Sequence, residues 1–148
     1  MIIHPLKATD WQILWQLQQQ CFDQCWSLPS WQEALGVDRT YALLAQQNQQ
    51  KIGYLVFRLT DDVGDILSLG VIPSCRRQGT ASSLIRHMME LGKREKLKSF
   101  LLEVSCKNLS AQKFYQSMGF KLLSIRPNYY YNPPQEPEDA MVLKYDLW

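Results

Sequence analysis

Leu69-Gly70-Val71-Ile72-Pro73-Ser74-Cys75-Arg76-Arg77-Gln78-Gly79-Thr80-Ala81 reads as an apolar strand that runs into a basic, glycine-containing turn and out into a helix. A helix start presents N–H groups without intrahelical partners and a partial positive charge, and Gly79 has no Cβ to hold a phosphate away. Arg76 and Arg77 add charge beside those donors. The segment has neither the three glycines of a dinucleotide-binding turn nor the Gly-Lys-Ser/Thr of a triphosphate loop. It has the physical character of a pyrophosphate cradle, with a basic surface turn as the alternative.

Downstream, Ala81, Leu84, Ile85, Met88 and Met89 recur at i, i+3, i+4, i+7 and i+8, which predicts a helix with one apolar face. The basic run Lys93-Arg94-Glu95-Lys96 at its end favours the helix dipole as a solvated face. Phe100 to Val104 reads as a strand, and Asn108 to Met118 as a helix closed by Gly119. Lys121 to Arg126 and Met141 to Leu147 complete the strands. Between them, Pro127 to Asp139 holds four prolines and the run Tyr129-Tyr130-Tyr131, and reads as a loop.

Upstream, Asp65 to Ile72 is the strand that feeds the turn, and Gly70 within it predicts a bulge or a close backbone approach. Tyr41 to Gln46 and Ile52 to Leu59 are two further strands joined by Gln47-Asn48-Gln49-Gln50. Ile2 to Leu6 is a short strand. Thr9-Asp10-Trp11-Gln12 and Ser30-Trp31-Gln32-Glu33 carry capping-box signals, predicting helices from Thr9 to about Cys21 and from Ser30 to about Gly36. The order strand, two helices, three strands, helix, strand, helix, two strands predicts an α/β fold: one domain over residues 1–148, with a mixed, mostly antiparallel sheet of about seven strands flanked by about four helices.

The composition narrows the partners. The chain has 148 residues, 46% of them hydrophobic, enough for one core. Sixteen basic and 14 acidic side chains give a net charge of +2, too small to argue for direct nucleic-acid binding. No run approaches the roughly 18 apolar residues of a membrane span, and the N-terminus lacks a signal-peptide core, so a soluble, cytoplasmic protein is expected, without a membrane partner. Cys21, Cys25, Cys75 and Cys106 lack paired CxxC spacing and a histidine cluster, and read as reduced thiols rather than a zinc site. His4 and His87 are isolated.

The turn Arg76-Arg77-Gln78-Gly79-Thr80-Ala81 resembles the Arg/Gln-x-x-Gly-x-Gly/Ala loop of the GCN5-related N-acetyltransferases, with Ala81 at the last small position. A second segment, Asn108-Leu109-Ser110-Ala111-Gln112-Lys113-Phe114-Tyr115-Gln116-Ser117-Met118-Gly119-Phe120, resembles the Asn-x-x-Ala-x-x-x-Tyr-x-x-x-Gly-Phe segment of the same superfamily. Cys25-Trp26-Ser27, Asn128-Tyr129-Tyr130 and Glu138-Asp139-Ala140 resemble stretches of one bacterial subgroup, the ribosomal-protein alanine N-acetyltransferases. Cys25 stands where that subgroup has proline, Ser105-Cys106-Lys107 where it has an arginine-containing segment, and the tail differs around Pro133-Pro134.

The resemblance implies acetyl-coenzyme A as cosubstrate, without a metal, and direct attack of an amine on the thioester. It implies a pyrophosphate cradle of Arg77, Gln78, Gly79, Thr80, Ala81 and Ser82 with Arg76 as accessory charge, strand contacts from Leu69, Gly70 and Val71, and a further contact from Asn108. Glu103, alone in an apolar strand, is either a structural ion-pair partner or a proton acceptor, and the resemblance places the general base there. Tyr115 matches the superfamily tyrosine that protonates the departing thiolate. Trp26, Ser27, Tyr129, Tyr130 and Tyr131 are expected around the acceptor.

An α-amino group titrates near 7.7–8.0 and a lysine near 10.4, so a carboxylate suffices for a protein N-terminus at neutral pH. The expected acceptor is the N-terminal alanine of the eighteenth small-subunit ribosomal protein, met by a monomer or weak dimer. A lysine side chain, a polyamine, an aminoglycoside or a non-catalytic coenzyme A module are the alternatives.

Overall fold

The computed structural model describes residues 1–131 and 133–148. Seven strands form one sheet in the order β1-β2-β3-β4-β5-β7-β6. They are β1 (Ile2–Leu6), β2 (Thr40–Gln47), β3 (Gln50–Thr60), β4 (Val63–Val71), β5 (Ser99–Ser105), β6 (Lys121–Tyr130) and β7 (Glu138–Asp146). Four α-helices accompany them, α1 (Trp11–Cys21), α2 (Leu28–Gly36), α3 (Thr80–Arg94) and α4 (Leu109–Ser117). The expected mixed, mostly antiparallel sheet is present, with β4 and β5 as its parallel pair.

β3 explains how the layers form. Every residue from Ile52 to Phe57 is buried, the pattern of a strand covered on both faces. Tyr54 meets Trp31 of α2 edge-on at 5.9 Å, while a Cβ on the adjacent Gly53 would lie 3.2 Å from Thr80 Cγ2 of α3. Successive residues of a strand face opposite ways, so α2 and α3 cover opposite faces of the sheet.

The parallel pair sets the site. β4 and β5 are paired only at Val63↔Ser99, Gly64↔Phe100 and Asp65↔Leu101. Beyond those, β4 carries an irregularity against β3: Phe57 pairs with Ile66 but Val56 with Ser68, leaving Leu67 as an extra residue. An inserted residue bends its strand. The C-terminal half of β4 therefore leaves β5, and a cleft opens between them. The irregularity lies at Leu67 rather than at Gly70. Gly70 serves side-chain packing instead, since a Cβ there would sit 2.6 Å from Tyr54 Cε1 and 3.0 Å from Phe22 Cε2.

Several boundaries differ from the sequence expectation for identifiable reasons. The Thr9 capping box does not form: a 3-10 turn spans Ala8–Asp10, and the Asp10 carboxylate accepts from Lys7 N at 2.8 Å before α1 begins. α2 starts at Leu28 because Ser27 caps it, its Oγ accepting from Ser30 N at 3.2 Å, with Pro29 in the first turn. β4 begins at Val63, and Gly64 lies inside it because a Cβ there would strike the Phe100 ring. β6 continues through Tyr130, so Tyr129 and Tyr130 belong to a strand rather than a loop: the ladder skips after Arg126↔Ala140 and resumes at Tyr130↔Glu138, with Asn128 left-handed at φ 52°. Pro127 is tolerated because β6 is an edge strand. Asn132, within the expected 127–139 loop, lies outside the described residues.

Burial also predicts an alkaline response. It raises the Tyr54 and Tyr115 phenols above the usual tyrosine range, and moves the Cys21 thiol from an ordinary 9.0 to about 11. A group whose pKa is higher folded than unfolded adds stability below its unfolded pKa and loses it as pH rises toward the folded one. Here that loss begins near the ordinary thiol value of 9.0 and deepens through the tyrosine value of 10.0. The urea midpoint is expected to be lower at pH 10.5 than at pH 7.5, and Cys21→Ala should flatten the part of that decline between about pH 9 and 10.

Candidate active site

The cleft between the diverging strands has a volume of about 840 Å³. One wall is Ile66 to Val71 of β4, the other Leu102 to Ser105 of β5; Asn108, Ala111 and Tyr115 close it from α4, and Tyr130 from β6. Because β4 has no partner strand on this side beyond Asp65, its backbone edge is open to a ligand. Leu69, Gly70 and Val71, expected to contact an extended cosubstrate, lie along that edge.

At the mouth, Arg77 and Gly79 are both left-handed, with φ 61° and 86°, and curl the loop around the start of α3. Gly79 is the helix N-cap and provides no side chain, and Ser83 N is the first amide returned to the helix, donating to Gly79 O at 3.0 Å. The N–H groups of Thr80, Ala81 and Ser82 thus precede the intrahelical bonds, and a Cβ on Gly79 would meet nothing within 4 Å. Free donors, a helix start and open space above a glycine fit a pyrophosphate. Thr80 is buried, and Gln78 Nε2 donates to Ser74 O at 3.3 Å.

Arg76, expected as an accessory charge, is held by two backbone carbonyls. Its Nε donates to Val71 O at 2.9 Å and its Nη2 to Cys21 O at 2.8 Å. It ties the end of α1 to the end of β4 while lining the cleft.

Glu103 lies on the face of β5 shared with Leu101 and Ser105, opposite the buried Phe100, Leu102 and Val104. Both sequence readings of Glu103 meet here, since it lines the cleft and its Oε1 lies 3.5 Å from Arg126 Nη1. The arginine side chain is 57% exposed, and its guanidinium also sits 5.5 Å from the Tyr129 ring centroid. The Glu103 side chain is 28% exposed, and with the arginine open to solvent at 3.5 Å the pair is screened and worth about 1 kcal/mol at most.

Tyr115 is packed between Phe114 and Phe120, at centroid distances of 5.2 and 5.6 Å, and lines the cleft. Burial keeps its phenol protonated well beyond neutral pH. Asn108 caps α4, its Oδ1 accepting from Ala111 N at 3.1 Å, and also faces the cleft. Tyr130 is raised to about 12 by partial burial, with neighbouring Tyr129, Glu103 and Glu138 acting the same way.

The early-loop residues fall elsewhere. Ser27 is occupied as the α2 cap, and Trp26 packs on Trp31 at 4.5 Å and faces a separate groove beside α2 with Glu33 and Arg58. Phe22, Asp23 and Gln24 take the place in the cleft that was expected for Trp26 and Ser27. Tyr129 stands outside the cleft, edge-on to Tyr130 at 5.0 Å, and Tyr131 is exposed. Sequence reasoning also missed Ser105, which the two-residue period from Glu103 would have found; its hydroxyl donates to the Glu138 carboxylate. No sequence signal distinguished Asp23 and Gln24.

A seven-stranded sheet parted between two parallel strands, with a phosphate-type helix start at one end of the gap, defines the acyl-coenzyme A dependent transferase class. The chain matches the model of the Acetyltransferase (GNAT) family over residues 11–120 and belongs to that family. It is an N-acetyltransferase. It is 28% identical over 142 residues to the [Ribosomal protein bS18]-alanine N-acetyltransferase of Haemophilus influenzae, covering 96% of each chain. It is 26% identical over 141 residues to the enzyme of the same name from Escherichia coli, covering 95% of this chain and 94% of that one. The crystal structure of the ribosomal-protein-S18-alanine N-acetyltransferase from Escherichia coli superposes with a TM-score of 0.90 at 24% identity, over 99% of this chain and 93% of that one. That likeness shows the fold.

Among the described residues no helix is long and apolar enough to cross a membrane.

Proposed function

We propose that this chain acetylates the α-amino group of a protein N-terminus, with the N-terminal alanine of ribosomal protein bS18 as acceptor and acetyl-coenzyme A as donor. The near full-length similarity to two enzymes of that name carries the reading. The cleft supports it by offering a carboxylate and a protonated phenol, Glu103 and Tyr115, on one side of an open β4 edge.

In this reading Arg77, Gln78 and the backbone of Gly79 to Ser82 hold the pyrophosphate. Leu69, Gly70 and Val71 align the extended arm, and Asn108 contributes a polar contact. The α-amino nitrogen gives a proton to Glu103, directly or through one water, as its lone pair forms the new C–N bond. The C–S bond breaks, and the leaving sulfur takes a proton from Tyr115. An α-amine asks less of Glu103 than a lysine would, by the difference between about 8 and 10.4 in pKa.

The test is acetyl-coenzyme A consumption with two peptides, one carrying the free bS18 N-terminus and one N-blocked with an internal lysine, the product being located by mass spectrometry. Acetylation of the free alanine alone supports the proposal; modification of the lysine alone overturns it. No cysteine is given a role as acyl carrier, and Cys21, held protonated by burial with a pKa of about 11, is poorly suited to one. Cys75→Ala and Cys106→Ala are accordingly expected to keep turnover within about threefold of the parent, measured as kcat.

A further inference from the structure

We propose that Gln18 is a positioning residue of the acceptor site, the hub that holds the 22–27 loop in place against the cleft. The inference rests on the proposed function only for the identity of the acceptor.

Gln18 lies in the last turn of α1 and is 4% exposed, although it carries a primary amide. A buried amide is costly unless its hydrogen bonds are made. Several donors converge on this one residue. Its backbone carbonyl accepts from Phe22 N at 3.0 Å and lies 3.5 Å from Cys25 Sγ, whose single proton is shared with the nearer Phe22 O at 3.2 Å. Its side-chain Oε1 accepts from Trp26 N and from Trp31 Nε1, each at 2.9 Å.

These bonds tether both ends of a segment that has no helix or strand of its own. Between the tethers, Asp23 and Gln24 line the same cleft as Glu103 and Tyr130. Of the two tethers the side-chain amide governs only the second, because the bond from Phe22 N goes to the Gln18 backbone carbonyl and survives substitution at residue 18. Trp31, with 0% exposure, cannot turn its indole N–H to water if the amide oxygen is removed. The same indole meets Tyr54, whose hydroxyl pairs with Ser68 Oγ at 2.8 Å in the β4 wall. The loop and the wall are thereby set by one network.

Gln18→Met keeps the length of the side chain and removes the acceptor, while Gln18→Glu keeps two acceptor oxygens and serves as the conservative variant. Losing a buried acceptor shared by two donors is expected to raise the KM of the acceptor peptide by about tenfold or more in Gln18→Met. kcat should stay within about threefold and the KM of acetyl-coenzyme A within about twofold, because neither Glu103, Tyr115 nor the pyrophosphate loop is touched. Gln18→Glu should restore the acceptor KM to within about threefold of the parent. Hydrogen exchange at the Trp26 amide should be faster in Gln18→Met alone.

If Gln18→Met does not fold, Gln18→Asn, which withdraws the carbonyl by one methylene, is expected to give the same pattern. An unchanged acceptor KM in either folded variant overturns the inference, as does a loss confined to kcat. If the parent acetylates a lysine peptide or a small amine instead of a free N-terminus, the proposed function fails by itself. The same KM comparison with that amine then decides the role of Gln18.

Discussion

Glu103→Gln is expected to lower kcat by about 10²–10⁴-fold, the contribution of a positioned general base, while leaving the KM of acetyl-coenzyme A close to the parent value. The amide has the shape of the carboxylate and keeps an oxygen toward Arg126, whose Nη1 lies 3.5 Å from Glu103 Oε1, so the contact geometry is largely kept while the charge and the basicity are lost. Arg126→Gln is the necessary companion. If Glu103 served only as the partner of Arg126, the two variants would have equal and small effects, because an exposed pair contributes about 0–1 kcal/mol. A large loss confined to Glu103→Gln assigns the proton transfer to the carboxylate. A loss below about threefold in steady-state assays returns Glu103 to a structural role.

Phe100→Ala is expected to cost about 3–5 kcal/mol, the range for removing a fully buried aromatic ring. A domain of this size has about 5–15 kcal/mol in all, so the variant should be near its limit of folding. Phe100 is 0% exposed, on the first turn of the ladder where β4 and β5 are still paired, and stands edge-on to Phe57 at 6.1 Å. Its ring occupies room left by two glycines. A Cβ on Gly92 of α3 would lie 2.6 Å from Phe100 Cε2, and one on Gly64 of β4 would meet the same ring. Gly92→Ala should therefore cost about 1–3 kcal/mol by overpacking, and Phe100→Leu should recover part of that in the double variant. Urea denaturation of the four proteins measures the coupling. Because this ring sits where the parallel strands begin to part, the same variants test how firmly the closed end of the cleft is held.

Much of this architecture was legible from local pattern. The α3 periodicity, the Asn108 cap with Gly119 behind α4, and the strands β1 to β5 are decided by neighbours a few residues apart, and the structure has them with boundaries shifted by one or two positions. The loop before α3 was equally legible, since its left-handed Gly79 and the helix start after it follow from one turn. Capping residues were less secure. Thr9 and Ser30 carry the signals, yet Asp10 accepts from Lys7 N and Ser27 caps α2, because several candidates lie within one turn and the preceding chain direction chooses among them.

The sequence by itself determined the element order, the family motifs and the chemical types available, a carboxylate in β5, a tyrosine in α4 and a basic turn before α3. Only the tertiary structure decided which side chains share the cleft. Leu67 is extra in the β3–β4 ladder, so the parting of β4 from β5 depends on register across strands and leaves no local mark. Gln18 carries no local sign of its role, which comes from donors up to 13 residues away that the fold brings to a single oxygen. Asp23 and Gln24 entered the site in place of Trp26 and Ser27 because Trp26 is drawn onto the buried Trp31 and Ser27 onto the α2 cap. Local pattern is set by periodicity and backbone geometry within a few residues, whereas a site is set by which surfaces the core brings face to face.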